Sequence, residues 1–350
     1  MENIELCFEK SLEIIFAAAR VSLNHEYEEA AEEGLPIDPE IDKWVREVLG
    51  KIDPRHKKLL DFYFDQDGYL GLGLLRLQEK FKDSPSVQEL ISFMEDISAS
   101  ELSYYLLLGA YDGELAKSDI KQFNDYQQVY KWITDNCVTN SRGSWKVFKL
   151  ISNPEEAKEE LIAFLNYFYS NFFKDYYEKK EIEEFMNSYL EENRDLLKRS
   201  FIKLSSRLLS PELKDDFFKK DQIRVNISYF AGIGHVFVPE QMRLAIGYKY
   251  PEKIDNNSSI RFLALSRLFK ALSDENRLKI LLKLKKESKY LTQLSDSLEI
   301  SGPSVKYHLE KLMEMELIEI EKSEKRIYYC LKKSKLNNMI NELKNTLLRR

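Results

Sequence analysis

The sequence predicts a mainly α protein: a large helical N-terminal domain with a small β element, followed by a smaller C-terminal module of short helices and a hairpin. Three observations lead there. Apolar residues recur at spacings of three and four through most of the first 220 positions. A period of two appears near residue 223, and a hairpin pattern after residue 316. Charge is also divided unevenly. Residues 261–350 carry a balance of +8, the preceding 260 a balance of −14, and the whole 350-residue chain a net −6. A basic module on an acidic body is the distribution that polyanion binding at one end requires.

Composition narrows the classes. With 43% apolar residues the chain can bury a substantial core. No apolar run approaches the roughly 20 residues a bilayer demands, so no membrane partner is expected. Glu5, Glu9, Lys10 and Glu13 interrupt the N-terminal apolar residues at helical spacing, which suits an amphipathic helix rather than a signal peptide. Cys7, Cys137 and Cys330 are far apart and odd in number, so the expected setting is a reducing cytoplasm without disulfides.

Helical spacing marks Leu6 to Leu23, Ile41 to Ile52, Leu59 to Phe64, Val87 to Ile97, Leu102 to Leu108, Ile120 to Ile133 and a long stretch from Ala157 to Leu209. Breaks fall at Pro36, Pro39, Pro54, Gly68, Pro85, Gly113, Gly143, Pro154 and Pro211. Ile223, Val225 and Ile227 then alternate with polar residues, and Val236 and Val238 follow Gly232 and Gly234, predicting a short strand pair or β insertion. Pro251 to Ser259 is polar and turn-rich. The domain boundary falls there, giving domains 1–255 and 260–350.

Candidate sites in the long domain are weak. Asp65-Gln66-Asp67-Gly68 invites a calcium loop, but the positions needing carboxylates hold Tyr63 and Leu74. Gly71 with Gly73, and Gly232 with Gly234, lack the third glycine of a pyrophosphate cradle and are expected as turns. His25, His56 and His235 are isolated. No catalytic constellation is evident, so no enzymatic activity and no cofactor are expected. Tyr167, Phe168, Tyr169, Phe172, Phe173, Tyr176 and Tyr177 crowd one stretch. They are expected in an aromatic core or a dimer seam, with a ring-lined pocket as the alternative.

The C-terminal module reads helix, helix, helix, helix, two strands, helix. Phe262, Leu265, Leu268, Phe269 and Leu272 form one stripe. Ser273 or Asp274 caps the next helix, on which Leu278, Leu281, Leu282 and Leu284 follow at core spacing. Leu291, Leu294 and Leu298 define a short helix. Ser301 caps another, with Pro303 in its first turn and Val305, Leu309, Leu312 and Met313 facing inward. Two short helices joined by a few residues describe a helix-turn-helix. Leu317 to Ile320 and Arg326 to Leu331 flank a charged turn, Lys322-Ser323-Glu324-Lys325, and a stripe from Leu336 through Met339, Ile340 and Leu343 to Leu347 closes the chain.

FKALSDENRLKILLKL, then LTQLSDSLEISGPSVKYHLEKLMEMELIE, then a hairpin ending in RIYYCL resembles the ArsR-type winged helix regulators over roughly residues 262–332. The resemblance implies a homodimer that binds double-stranded DNA at a two-fold operator, most simply as a repressor. The groove admits one helix, and the polar positions of this one are Ser301, Gly302, Ser304, Lys306, Tyr307 and Lys311, with Thr292 and Gln293 on the preceding helix. Ser304 and Lys306 suit base edges, and Tyr307 a thymine methyl or a phosphate. Lys311, Lys322, Lys325 and Arg326 suit phosphates. His308 is expected as a structural hydrogen-bonding residue and Cys330 as a buried strand residue.

The motif departs from metal-sensing members of the family. Tyr290-Leu291-Thr292-Gln293-Leu294 contains no thiol, and the terminal helix holds no His and only one acid, Glu342, so no metal site is expected. Some ArsR-type regulators carry a long N-terminal extension, and here it is expected to serve dimerisation or to bind a small-molecule effector. Two alternatives remain at this point: a winged helix that docks protein on a helical scaffold, and an N-terminal enzyme with an appended regulator.

Overall fold

The computed structural model describes residues 4–32, 34–82, 84–110, 127–129, 133, 141–208, 223–238, 241, 243–255, 269–270, 272–315, 317–323, 326–333, 335–337 and 340. Contacts divide the chain into two compact units, Met1–Asp255 and Asn256–Arg350. Most of the helix expected at Ile120–Ile133 lies outside the described residues, as do Phe262, Leu265, Leu268, Met339, Leu343 and Leu347.

The N-terminal unit is helical around a small sheet. Its first element is a strand, β1 (Ile4–Cys7), where helical spacing suggested a helix from Leu6. β1 pairs in parallel with β2 (Ile223–Ser228), setting Ile4 beside Ile223 and Cys7 beside Asn226. The partner lies more than 200 residues away, so local periodicity could not register it. α1 (Glu13–Ser22) follows and is buried from Glu13 through Val21. Of the acidic residues read as a solvent face, Glu9 and Glu13 are buried, whereas Glu5 is exposed.

Helix starts obey local rules. α2 spans Asn24–Glu32. α3 (Pro39–Lys51) and α4 (Pro54–Phe64) each begin with proline at the first turn behind an aspartate cap, Asp38 or Asp53, whose side chain accepts two backbone N–H bonds. α5 (Val87–Asp96) carries a Ser86–Glu89 capping box, and α6 (Ala99–Ala110) follows. α7 (Ser141–Ser152) and α8 (Pro154–Phe168) lead into a π turn, Tyr169–Phe173, then α9 (Lys174–Lys179), α10 (Ile182–Glu192) and α11 (Arg194–Leu208).

Gly71 and Gly73 are not in a turn. They lie in a 3-10 helix, Leu70–Lys80, packed on α6. A Cβ at Gly73 would fall 1.9 Å from the Tyr105 carbonyl, so glycine here permits a close backbone approach. Gly232 does lie in a turn, with φ +52°. The expected strand pair is in fact a four-stranded sheet, ordered β1-β2-β4-β3. β3 (His235–Val238) does not pair with β2, because β4 (Arg243–Gly247) sits between them, parallel to β2 and antiparallel to β3. α12 (Tyr250–Asp255) ends the unit.

The aromatic stretch belongs to the core. Phe168 and Phe173 are fully buried, and Trp44 contacts the rings of Phe168, Tyr176 and Phe230 at 6.2, 5.0 and 5.0 Å. The Trp44 indole N–H donates to the Phe172 carbonyl at 3.4 Å, within the π turn.

The C-terminal unit has its own core of Ile280, Leu281, Leu284, Leu294, Val305, Leu309, Leu312, Leu317 and Ile318. Apart from Leu317, which precedes β5, these come from α13 (Glu275–Leu284), α14 (Leu291–Leu298), α15 (Gly302–Glu314) and β5 (Ile318–Ser323), with β6 (Arg326–Leu331) pairing antiparallel to β5. The hairpin is tighter than expected. Lys322 pairs with Ile327 and Ser323 with Arg326, so both belong to the strand rather than the turn.

Candidate nucleic-acid interface

α13 is capped by Asp274, whose carboxylate accepts the Arg277 N–H at 2.9 Å. That bond, followed by the charges of His308 and Arg277, holds the Asp274 carboxyl below the usual range. His308 is buried on α15, with Nδ1 3.5 Å from the same carboxylate, so it links α15 to the start of α13. Its side chain turns away from solvent, although the buried Nδ1 makes no hydrogen bond.

α14 starts where the Tyr290 N–H donates to the side-chain carbonyl of Gln293 at 3.1 Å. It ends at Glu299, which takes the left-handed conformation at φ +57°. Ser295 Oγ then donates to the Ile300 carbonyl at 2.6 Å and closes the turn. Ser301 follows as the cap of α15, accepting from the Ser304 N–H at 3.4 Å, with Pro303 in the first turn. Three residues, Glu299 to Ser301, therefore separate the two helices.

α15 is two-sided. Val305, Leu309 and Leu312 are fully buried, whereas Tyr307 is 56% exposed and Ser304, Lys306 and Lys311 are partly exposed. Ser301 and Thr292 are exposed, and Gly302 and Gln293 partly so. A Cβ at Gly302 would meet only Leu291 Cδ2 at 3.4 Å, so packing does not demand glycine there. Of the hairpin cations, Lys322 and Arg326 occupy the tip-proximal ends of β5 and β6, and Lys325 lies outside the described residues.

Sequence reasoning missed two features. Lys289 bridges Tyr329 through reciprocal backbone bonds of 3.2 and 2.8 Å, adding a third edge to the hairpin. A single residue has no periodicity to detect. Leu278 and Leu282, expected in the core, are 42% and 62% exposed, while Ile280 takes the buried place. Four leucines within seven positions exceed what one helix face can bury, and that excess was the available signal. Phe269 is likewise 53% exposed. Cys330 is buried, with Sγ 3.0 Å from Ser288 Oγ, and burial raises its thiol pKa. Among the described residues no group of three or more His, Cys, Asp or Glu could hold a metal, and no helix is long and apolar enough to cross a membrane.

A helix-turn-helix whose second helix turns a polar strip outward, followed by a two-stranded wing, defines the winged-helix class of DNA-binding transcriptional regulators. The family described as bacterial regulatory protein, arsR family, matches residues 274–319. The transcriptional repressor SdpR of Bacillus subtilis is 35% identical over 81 residues, which is 23% of this chain and 90% of that protein. The cadmium resistance transcriptional regulatory proteins CadC of Listeria innocua and of Lactococcus lactis are each 32% identical over 78 residues, 22% of this chain and 66% of theirs. The chain belongs to the arsR family of bacterial regulatory proteins. No solved structure matches it.

Proposed function

We propose that the protein is a repressor that binds a two-fold operator as a homodimer, laying α15 in the major groove of each half-site and the β5–β6 wing on the adjoining backbone. The observation that carries this reading is the division of α15. Its apolar side is committed to the core, and Ser304, Lys306 and Tyr307 are at least partly exposed on the other side. Ser304 and Lys306 contact base edges, and Tyr307 a thymine methyl or a phosphate. Lys311, Lys322, Lys325 and Arg326 grip phosphates, and Thr292, Gln293 and Ser301 contribute at the two helix starts. Gly302, which the fold does not require, lets the sugar-phosphate chain approach.

Exposed Phe269, Leu278 and Leu282 support a second copy as the occupant of that apolar face. Half-sites then lie about one helical turn, roughly 34 Å, apart. Residues 1–255 serve dimerisation or bind an effector that favours one dimer geometry, within the cytoplasm. Cadmium resistance belongs to the relatives that carry the name, and no metal role is transferred from them.

The test is duplex binding by fluorescence anisotropy across a salt series, on a duplex taken from genome-wide occupancy mapping. Affinity is expected to fall with a log–log slope of about 0.9 per phosphate contact. A flat response, or no duplex binding, overturns the reading in favour of protein docking.

A further inference from the structure

The N-terminal sheet has an apolar face and a polar one. Ile223, Val225, Ile227, Leu244 and Ile246 are buried on the first. The register Val225↔Leu244 puts Arg224 and Asn226 on the opposite face, next to Arg243 and Ala245. β1 brings Glu5 and Cys7 beside Arg224 and Asn226, and β3 brings Val238 beside Arg243. Under Leu12 and Leu75 this face forms a small cleft open to solvent.

Two arginines side by side on a sheet face repel one another unless a counter-charge is present. Arg224 has one: its Nη2 lies 3.0 Å from Glu9 Oε1 and its Nε 3.5 Å from Glu5 Oε2. Glu9 Oε2 accepts from Gln78 Nε2 at 2.9 Å, so the Glu9 carboxylate is fully engaged. Arg243 also lines the cleft, and among the described residues it has no ion-pair partner.

Two amides lining the cleft are held at one end and unpartnered at the other. The Glu9 N–H donates to Asn226 Oδ1 at 2.9 Å, which fixes Asn226 Nδ2 as the outward donor. Gln241 Nε2 donates to the Arg76 carbonyl at 3.0 Å, which leaves Oε1 as an acceptor. Neither remaining atom has a hydrogen-bond partner, although both are buried and Asn226 is only 8% exposed. Buried polar atoms are normally satisfied, and two orphans converging on one cleft point to a ligand that satisfies them. Burial, then the charge of Glu9, pushes the Cys7 thiol up to about 12, so it contributes a neutral S–H.

We infer that this cleft binds a short organic acid: a carboxylate held by Arg243 and Asn226, a hydroxyl or amino group donating to Gln241, and a small apolar stem against Leu12, Leu75 and Val238. This deepens the effector part of the function proposed above, and binding itself does not depend on DNA.

The experiment is isothermal titration of the full-length protein with 2-hydroxybutanoate, and in parallel with its neutral amide, 2-hydroxybutanamide. The acid is expected to bind with a millimolar or lower dissociation constant and the amide not to bind. Arg243→Gln should weaken the acid about tenfold or more, with the thermal melt unchanged. No binding of the acid, equal binding of the amide, or undiminished binding by a folded Arg243→Gln protein overturns the inference. Anisotropy on the same preparation separates the two readings. Duplex binding without acid binding sinks only this site, and acid binding without duplex binding sinks only the regulator.

Discussion

The two units use the same residue types in opposite ways. In the N-terminal unit, polar side chains turn inward and bond across more than 200 residues of sequence: Glu9 with Asn226 and Arg224, and Glu13 with the N–H groups of Tyr229 and Phe230 at 3.1 Å each. In the C-terminal unit the helix caps Asp274 to Arg277, Gln293 to Tyr290 and Ser301 to Ser304 close within three residues, and the turn bond from Ser295 to Ile300 within five. On α15, Ser304, Lys306 and Tyr307 meanwhile remain at least partly exposed. Long-range polar bonds therefore tie the first unit together, whereas in the second the face of α15 that carries Ser304, Lys306 and Tyr307 stays open.

This contrast is broken most severely by core substitutions. Leu312→Ala removes a fully buried side chain from the small C-terminal core and should cost about 2–5 kcal/mol. Gly73→Ala forces a methyl against the Tyr105 carbonyl and should cost about 3 kcal/mol in the other unit. All three tryptophans precede residue 261, so their fluorescence reports the N-terminal unit alone. Urea unfolding followed by that signal should shift for Gly73→Ala and not for Leu312→Ala, which should lose duplex binding instead. Equal fluorescence shifts for both would mean that the units do not unfold independently.

The inward-facing acids give the next effect. Burial pushes the Glu13 carboxyl up to about 8, against the bonds from Phe230, Ser228 and Tyr229 that pull it down. Between its ordinary value of 4.5 and about 8, the folded protein holds a proton that the unfolded chain has released. Its contribution is therefore complete below about pH 4.5 and is lost as pH rises through about 8, at up to about 1.4 kcal/mol per pH unit. Glu13→Gln keeps an acceptor for both N–H groups and should remove this slope. Stability measured from pH 5 to 8 in both proteins decides it, and parallel curves would reject a buried, protonated Glu13.

These residues also mark where the sequence could be read. Helix caps, the helix-turn-helix and the buried side of α15 follow from neighbours within a turn or two, and all were legible. The β1–β2 pairing was not, because Glu5, Glu9 and Glu13 repeat every four residues as a solvent face would, while each has a partner beyond position 220. Gly71 and Gly73 read as a turn because a close approach to α6 is a tertiary fact. The cleft was invisible for the same reason: Cys7, Arg224, Gln241 and Arg243 share a surface only after the strands assemble.

The smallest expected effects lie on the outward-facing surface and sharpen the contrast. Lys306→Ala should change stability by no more than about 0.5 kcal/mol, because its side chain is outside the core. It should nevertheless weaken operator binding by about 1–3 kcal/mol and relax sequence preference at one position, as loss of a base contact does. Arg326→Ala, on the wing, should weaken all duplexes alike and lower the salt slope by about one. Binding-site selection with both variants distinguishes these roles. If Arg326→Ala relaxes preference while Lys306→Ala weakens every sequence equally, the wing reads the bases and α15 only anchors the backbone.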